Sequence, residues 1–132
     1  MEIKNNFPEV VSLHYIVNTK VNDTIYDLEV ITHYGSAFIT EEMENLKFQI
    51  SPKSFFQTNP TQALELYKVV RSFSALSGNE LVYDLYTGTG SIALFVASNA
   101  KQVIGIEQVE DSIRDARLNA QLNGITNVKF FT

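Results

Sequence analysis

From residue 81 to residue 132 the chain alternates short apolar runs with longer amphipathic ones, and this alternation constrains its fold more than any other feature. Leu81 to Tyr86, Gln102 to Ile106 and Val128 to Thr132 read as strands. Between them, Ser91 to Ser98 and Val109 to Asn123 read as helices, the second closed by Gly124 in the position of a C-cap glycine. The order β-α-β-α-β predicts parallel strands joined by helical crossovers, which is the start of a doubly wound α/β sheet.

Upstream the pattern changes. Residues 11–17 and 26–30 alternate with period two, and Asn18 to Thr24 supplies turn residues between them, so a hairpin is expected. Gly35 interrupts before a further extended stretch at 37–40, and Leu46, Phe48 and Ile50 alternate up to Ser51-Pro52. Residues 1–46 therefore read as a β-rich segment, and residues 47–132 as part of an α/β domain that stops after about its third strand. A helix starts within the second part: Asn59 as N-cap, Pro60 at the first helical position, and Gln62 in capping-box register. Ala63, Leu66, Tyr67, Val70 and Phe73 recur on one face, and Gly78 is expected to end the element.

Composition removes whole classes of function. The 132 residues include no cysteine, which excludes disulfide scaffolds, zinc ribbons, iron–sulfur ligation and thiol nucleophiles within this chain. Apolar runs of about five residues fall far short of the roughly 20 that a membrane span needs. MEIKNNFPEV has no apolar core of a signal peptide, so a cytoplasmic location is expected. The net charge is −5. Two lysines face eight acids in residues 1–46, whereas Lys47, Lys53, Lys68 and Arg71 outnumber Glu65 and Glu80 in residues 47–80. Bulk charge gives no nucleic-acid footprint, and only the middle segment could contribute one.

The chemistry concentrates in Leu81-Val82-Tyr83-Asp84-Leu85-Tyr86-Thr87-Gly88-Thr89-Gly90-Ser91. An apolar strand runs into a loop whose glycines permit a sharp turn into a helix and a close approach of backbone to ligand. The next strand ends at Glu107, where a carboxylate can accept both hydroxyls of an adenosine ribose. Gly88-x-Gly90-x-x-Ala93 matches the dinucleotide pattern formally, with Glu107 near the expected spacing. Asp84 argues the other way. A pyrophosphate gains nothing from an acid at the strand end, whereas the sulfonium and ammonium of S-adenosylmethionine do. No Lys or Arg lies between Asp84 and Ser98. S-adenosylmethionine is therefore the expected cofactor, and a nucleotide-dependent (NAD or FAD) oxidoreductase is the rival. Taken singly, the glycines could form an ordinary tight turn and Glu107 a solvated strand end.

Ile50-Ser51-Pro52-Lys53-Ser54-Phe55-Phe56-Gln57-Thr58-Asn59, Asp84-Leu85-Tyr86-Thr87-Gly88-Thr89-Gly90, Gly105-Ile106-Glu107 and Asn119-Ala120-Gln121-Leu122-Asn123-Gly124-Ile125 resemble the RNA uracil-C5 methyltransferase family. The resemblance covers about residues 34–132 and implies the N-terminal part of a Rossmann-like class I methyltransferase domain. It implies cofactor contacts from Gln57, Tyr86 and Glu107, and from Ser91, where many members carry Asn. With Asp84, Gly88 and Gly90 these make up the expected site. Thr87 stands where members commonly carry a cysteine that is not the nucleophile.

The family's chemistry adds a thiolate to uracil C6 so that C5 can attack the methyl group, after which a base removes the C5 proton and the thiol is eliminated. Because this chain has no cysteine, the resemblance puts nucleophile and base beyond Thr132, so the chain is expected to be a fragment that binds cofactor without turning over. The partner it implies is RNA, ribosomal or transfer, and 23S ribosomal RNA is the expected substrate. A non-catalytic methyltransferase-like binding module is a further alternative. Phe55 and Phe56 read as a hydrophobic staple and core filling, His14 and His33 as structural or surface residues, and Arg114 and Arg117 as a solvated face with Glu110 and Asp111.

Overall fold

The computed structural model describes residues 2–132. They gather into two units, residues up to Ile39 with Ser51–Lys53 and Thr40–Ile50 with Ser54–Thr132. The first unit holds a short helix α1 (Glu2–Asn6) and the antiparallel strands β1 (Ser12–Tyr15) and β2 (Ile31–Gly35). The expected hairpin exists, but its second strand is Ile31–Gly35 and not residues 26–30, and Gly35 ends it paired with Ser12. Residues 18–28 are diverted by local hydrogen bonds, from side chains and from the backbone. Asn18 Oδ1 accepts from Lys20 N, Asn22 Oδ1 from Thr24 N, and Leu28 N donates to Ile25 O. Asp27, read as the outward residue of a strand, instead takes the Lys20 ammonium. Local bonds of this kind compete with a sheet ladder and here they win. His14 sits between the hydroxyls of Ser12 (2.7 Å) and Thr32 (3.2 Å). Among the described residues no group of His, Asp and Glu could hold a metal, and no helix is long and apolar enough to cross a membrane.

In the second unit β3 (Ile39–Met43) and β4 (Leu46–Ile50) pair across Glu44-Asn45, so the boundary expected at 46/47 falls within a hairpin. β3 also runs later than the extended stretch expected at 37–40. Helix α2 (Pro60–Ser74) starts as expected, with Asn59 Oδ1 accepting from Gln62 N at 3.1 Å. It stops earlier than expected. Ala75, in the left-handed region, caps it through its N–H to Ser72 O, and Gly78 turns the following loop. Glu80 organises that loop by accepting from the Ser77 hydroxyl and from the N–H groups of Ser77, Gly78 and Asn79, and the hydroxyl first, then those N–H groups, lower its pKa to about 2. The buried face of α2 is also narrower than its periodicity suggested. Ala63 and Tyr67 are buried and Val70 partly so, whereas Leu66 and Phe73 are exposed.

β5 (Leu81–Leu85), α3 (Ser91–Ala97), β6 (Gln102–Ile106), α4 (Glu110–Leu122) and β7 (Val128–Phe131) form the predicted β-α-β-α-β run. The sheet is parallel throughout, in the order β5-β6-β7. Its register sets Val82, Val103 and Val128 in one row and Asp84, Gly105 and Phe130 in another. α3 lies against all three strands and α4 against β7. α4 ends in a Schellman arrangement: Gly124 N donates to Gln121 O and Ile125 N to Ala120 O. The core gathers Phe48, the buried face of α3, Val103, Ile113, Ala116 and Phe130. Arg114 pairs with Asp111 as expected, but Arg117 donates to Phe130 O instead.

Candidate functional site

The strand-to-helix turn after β5 is built from residues in unusual backbone conformations. Tyr86, Gly88 and Gly90 have φ of +61°, +56° and +79°. Gly90 is required twice over, because a Cβ there would come within 2.8 Å of the Phe130 ring and 3.1 Å of Ala116 Cβ. Tyr86 has no such excuse. It is a side-chain-bearing residue held in the left-handed region with its ring largely exposed, the kind of strain that clusters at ligand sites.

Asp84 ties the turn together. Its Oδ2 accepts from the Thr87 hydroxyl at 2.6 Å and from Ala93 N, in the first turn of α3, at 3.1 Å. Burial raises the Asp84 pKa, and those two hydrogen bonds act against the rise. Thr87 is itself buried, with its hydroxyl close to Gly105, where a Cβ would come within 2.9 Å of it. One strand over, Glu107 Oε2 accepts from Gly88 N at 3.2 Å and Oε1 from Val109 N at 3.0 Å. Glu107 is thus neither a bare strand end nor a group pointing straight into the cleft. It links the glycine turn to the start of α4, and a carboxylate has lone pairs left for further donors.

A cleft of about 120 Å³ opens at the carboxyl end of β5. Of the expected site residues, Gln57, Asp84, Tyr86, Gly88 and Ser91 line it. Gly90 lies buried behind the turn, and Glu107 reaches the site through Gly88 N. Three features escaped sequence reading. Tyr67, assigned to an apolar helix face, brings its hydroxyl within 2.9 Å of Ser91 Oγ at the cleft. Thr89 contributes a buried hydroxyl with no hydrogen-bond partner. Phe55 is 70% exposed at the cleft, while Phe56 alone does the core filling, with its ring centroid 5.8 Å from that of Phe48. The staple reading of Phe55 is therefore corrected: the loop after Pro52 turns one ring inward and the other out. A Tyr at a helical apolar position is the only signal that could have pointed to Tyr67.

No basic side chain lines the cleft. Three basic residues of the middle segment are paired with acids. Lys47 pairs with Glu42 at 3.2 Å, Lys68 with Glu65 at 2.7 Å, and Arg71 with Glu44 through two contacts of 2.9 Å. A larger cavity of about 380 Å³ lies at the opposite ends of the strands, beside Ser98 and the turn after α4, and its one guanidinium is this neutralised Arg71.

Residues 76–131 match the family model described as "Methyltransferase domain". An uncharacterized RNA methyltransferase of Porphyromonas gingivalis is 57% identical over 129 residues, 98% of this chain and 28% of that protein. One from Bacteroides thetaiotaomicron is 56% identical over the same shares. The chain thus spans little more than a quarter of the length of these relatives. Among solved structures, the tRNA (uracil-54, C5)-methyltransferase of Pyrococcus abyssi in complex with S-adenosyl-L-homocysteine superposes with a TM-score of 0.73. It is 29% identical, and the match covers 92% of this chain and 30% of that one.

Proposed function

We propose, from the premise that the chain belongs to a family of RNA methyltransferases, that it is the S-adenosylmethionine-binding part of an enzyme that methylates uracil C5 in RNA. The observation that carries this reading is the lining of the cleft. A carboxylate, four aromatic rings, an amide and hydroxyls surround it, and no Lys or Arg does. Such a lining suits a cationic sulfonium and an ammonium, and offers a pyrophosphate nothing to neutralise its charge. The orphaned Thr89 hydroxyl fits the same reading, since a buried polar atom at the cleft costs stability unless something pairs with it.

Within this reading Gln57 and Tyr86 flank the bound cofactor, Ser91 contacts it beside Tyr67, and Glu107 accepts the ribose hydroxyls while holding Gly88 N. When bound, the cofactor supplies an electrophilic methyl group. The chain's own residues bind and orient it. They include no thiol, so the nucleophile that activates uracil comes from outside these 132 residues. The choice of uracil C5 is supported by the motifs and by the likeness to the Pyrococcus enzyme. The substrate proposed is ribosomal RNA, with transfer RNA, the substrate of the Pyrococcus enzyme, as the alternative.

Calorimetry of the chain with S-adenosylhomocysteine and with NAD tests the cofactor. Binding of the first alone is expected, and a preference for NAD sinks the reading in favour of an oxidoreductase. Glu107→Ala should weaken cofactor binding by about 1.5–3 kcal/mol, the range for hydrogen bonds to a charged group. Methyl transfer by the full-length protein to ribosomal and transfer RNA transcripts, with mass analysis of the product nucleoside, tests the substrate. A product other than 5-methyluridine overturns the uracil assignment, and no product at all favours the non-catalytic module.

A further inference from the structure

Helix α4 and its C-cap carry two asparagines one turn apart, Asn119 and Asn123, and both use their side chains in the same way. Asn123 Oδ1 accepts from Lys47 N at 2.8 Å, while its Nδ2 donates to Lys47 O at 2.7 Å and to Asn119 O at 2.7 Å. Asn119 Oδ1 accepts from Gln49 N at 2.7 Å, and its Nδ2 donates to Gln49 O at 3.1 Å. Each amide thus pairs with one β4 residue as a neighbouring strand would, and together they dock β4 on α4 without any sheet hydrogen bond. The two then part company. The second N–H of Asn123 goes back to its own helix, whereas that of Asn119 crosses to Thr89 O, 3.2 Å away between the two glycines of the turn.

Asn119 is 0% exposed, so neither of its N–H groups has water as an alternative. Gly88 and Gly90 leave the turn conformationally free on both sides of Thr89. Its carbonyl is therefore where a fixed donor does most to hold the turn. β4, gripped by the same amide, leads directly into the segment that carries Gln57.

We infer that Asn119 is a positioning residue for the candidate cofactor site: through the Thr89 carbonyl and the Gln49 backbone it fixes the glycine turn relative to the strand that delivers Gln57. This rests on the cofactor reading above, but the mechanical claim can be tested separately. Asn123 is the internal control, with the same clasp and no reach to the turn.

Asn119→Asp keeps the shape and the acceptor for Gln49 N–H but removes both donors, and Asn123→Asp makes the same change one turn on. Two quantities are read in the chain: hydrogen exchange at the amides of Gly88, Gly90 and Ser91, and affinity for S-adenosylhomocysteine. Asn119→Asp should speed exchange in the turn and weaken binding by roughly tenfold each, the scale of one hydrogen bond. Asn123→Asp should leave both within about twofold, a surface-scale effect. Equal effects of the two variants, or an unaltered turn in Asn119→Asp, overturn the proposal. If Asn119→Asp fails to fold, exchange in the wild-type chain decides. Gln49 N–H and the turn amides should open together with Lys47 N–H opening independently, and the reverse grouping overturns the proposal. A wild-type chain that ignores S-adenosylhomocysteine counts against the cofactor reading instead, and the exchange contrast still decides whether Asn119 holds the turn.

Discussion

On the face of the β5-β6-β7 sheet turned toward α3 and α4, Val103 and Phe130 are 0% and 6% exposed, whereas on the opposite face Tyr83, Leu85 and Phe131 are 59%, 61% and 50% exposed. Both faces carry large apolar side chains. A parallel sheet of this kind is normally covered on both sides, which is why its strands read as continuous apolar runs and not as alternating ones. The covered face shows where packing contributes stability in this chain. The open face shows that apolar content alone does not. The same residue type, phenylalanine, occupies both situations at adjacent positions of β7.

The comparison breaks most visibly at Phe130, whose ring meets the space above Gly90 and Gly105. Phe130→Ala should cost about 3–5 kcal/mol in a urea melt, and Phe131→Ala next to it almost nothing. Similar losses for the two would show that the faces are not energetically distinct.

Gly105→Ala comes next. Its Cβ would lie 2.5 Å from the Phe130 ring and 2.9 Å from Thr87 Oγ1, so overpacking should cost about 1–3 kcal/mol. Pairing it with Phe130→Leu should recover part of the loss.

Asp84 is the charged residue in the covered row, and its effect appears as a dependence on pH. Its folded pKa is raised above the ordinary 3.8, so the unfolded chain releases this proton first and the native state later. Stability therefore falls as pH rises through the window between those two values and levels off above it. Asp84→Asn should flatten that slope in melts across the acid range, and an unchanged slope would show that the carboxyl titrates as though solvated.

The smallest effect belongs to the open face. Leu85→Thr or Tyr83→Thr should shift stability by no more than about 0.5 kcal/mol, the usual scale for exposed positions, while improving solubility at high concentration.

What the sequence disclosed follows the same division between local and distant causes. The cap at Asn59, the glycine turn and the helix-closing Gly124 were legible because each depends on residues within a few positions. Gln57, Asp84, Tyr86 and Ser91 line one cleft; the sequence points to Asp84 through its place before the glycine turn, and to the other three only through the likeness to a family. Residues 26–30 do not form the expected strand because alternation describes a strand and a loop equally well, and the Asn18, Asn22 and Leu28 bonds together with the Lys20–Asp27 contact decide for the loop. The breadth of the α2 face was overread, since helical periodicity marks Phe73 as apolar without saying that anything lies beside it. Tyr67 facing Ser91, and Asn119 reaching both β4 and Thr89, join residues far apart along the chain, and nothing in either local stretch announces the other.

The left-handed backbone at Tyr86 has a consequence for anyone who would engineer this protein. Tyr86→Gly would relax the turn at no steric cost, and a selection for thermostability alone would drift toward it. The ring it discards is the aromatic surface that the turn holds out at the mouth of the cleft. On the cofactor reading proposed above, heat resistance gained at this one position would come out of ligand affinity, so the two traits should be screened together and never in sequence.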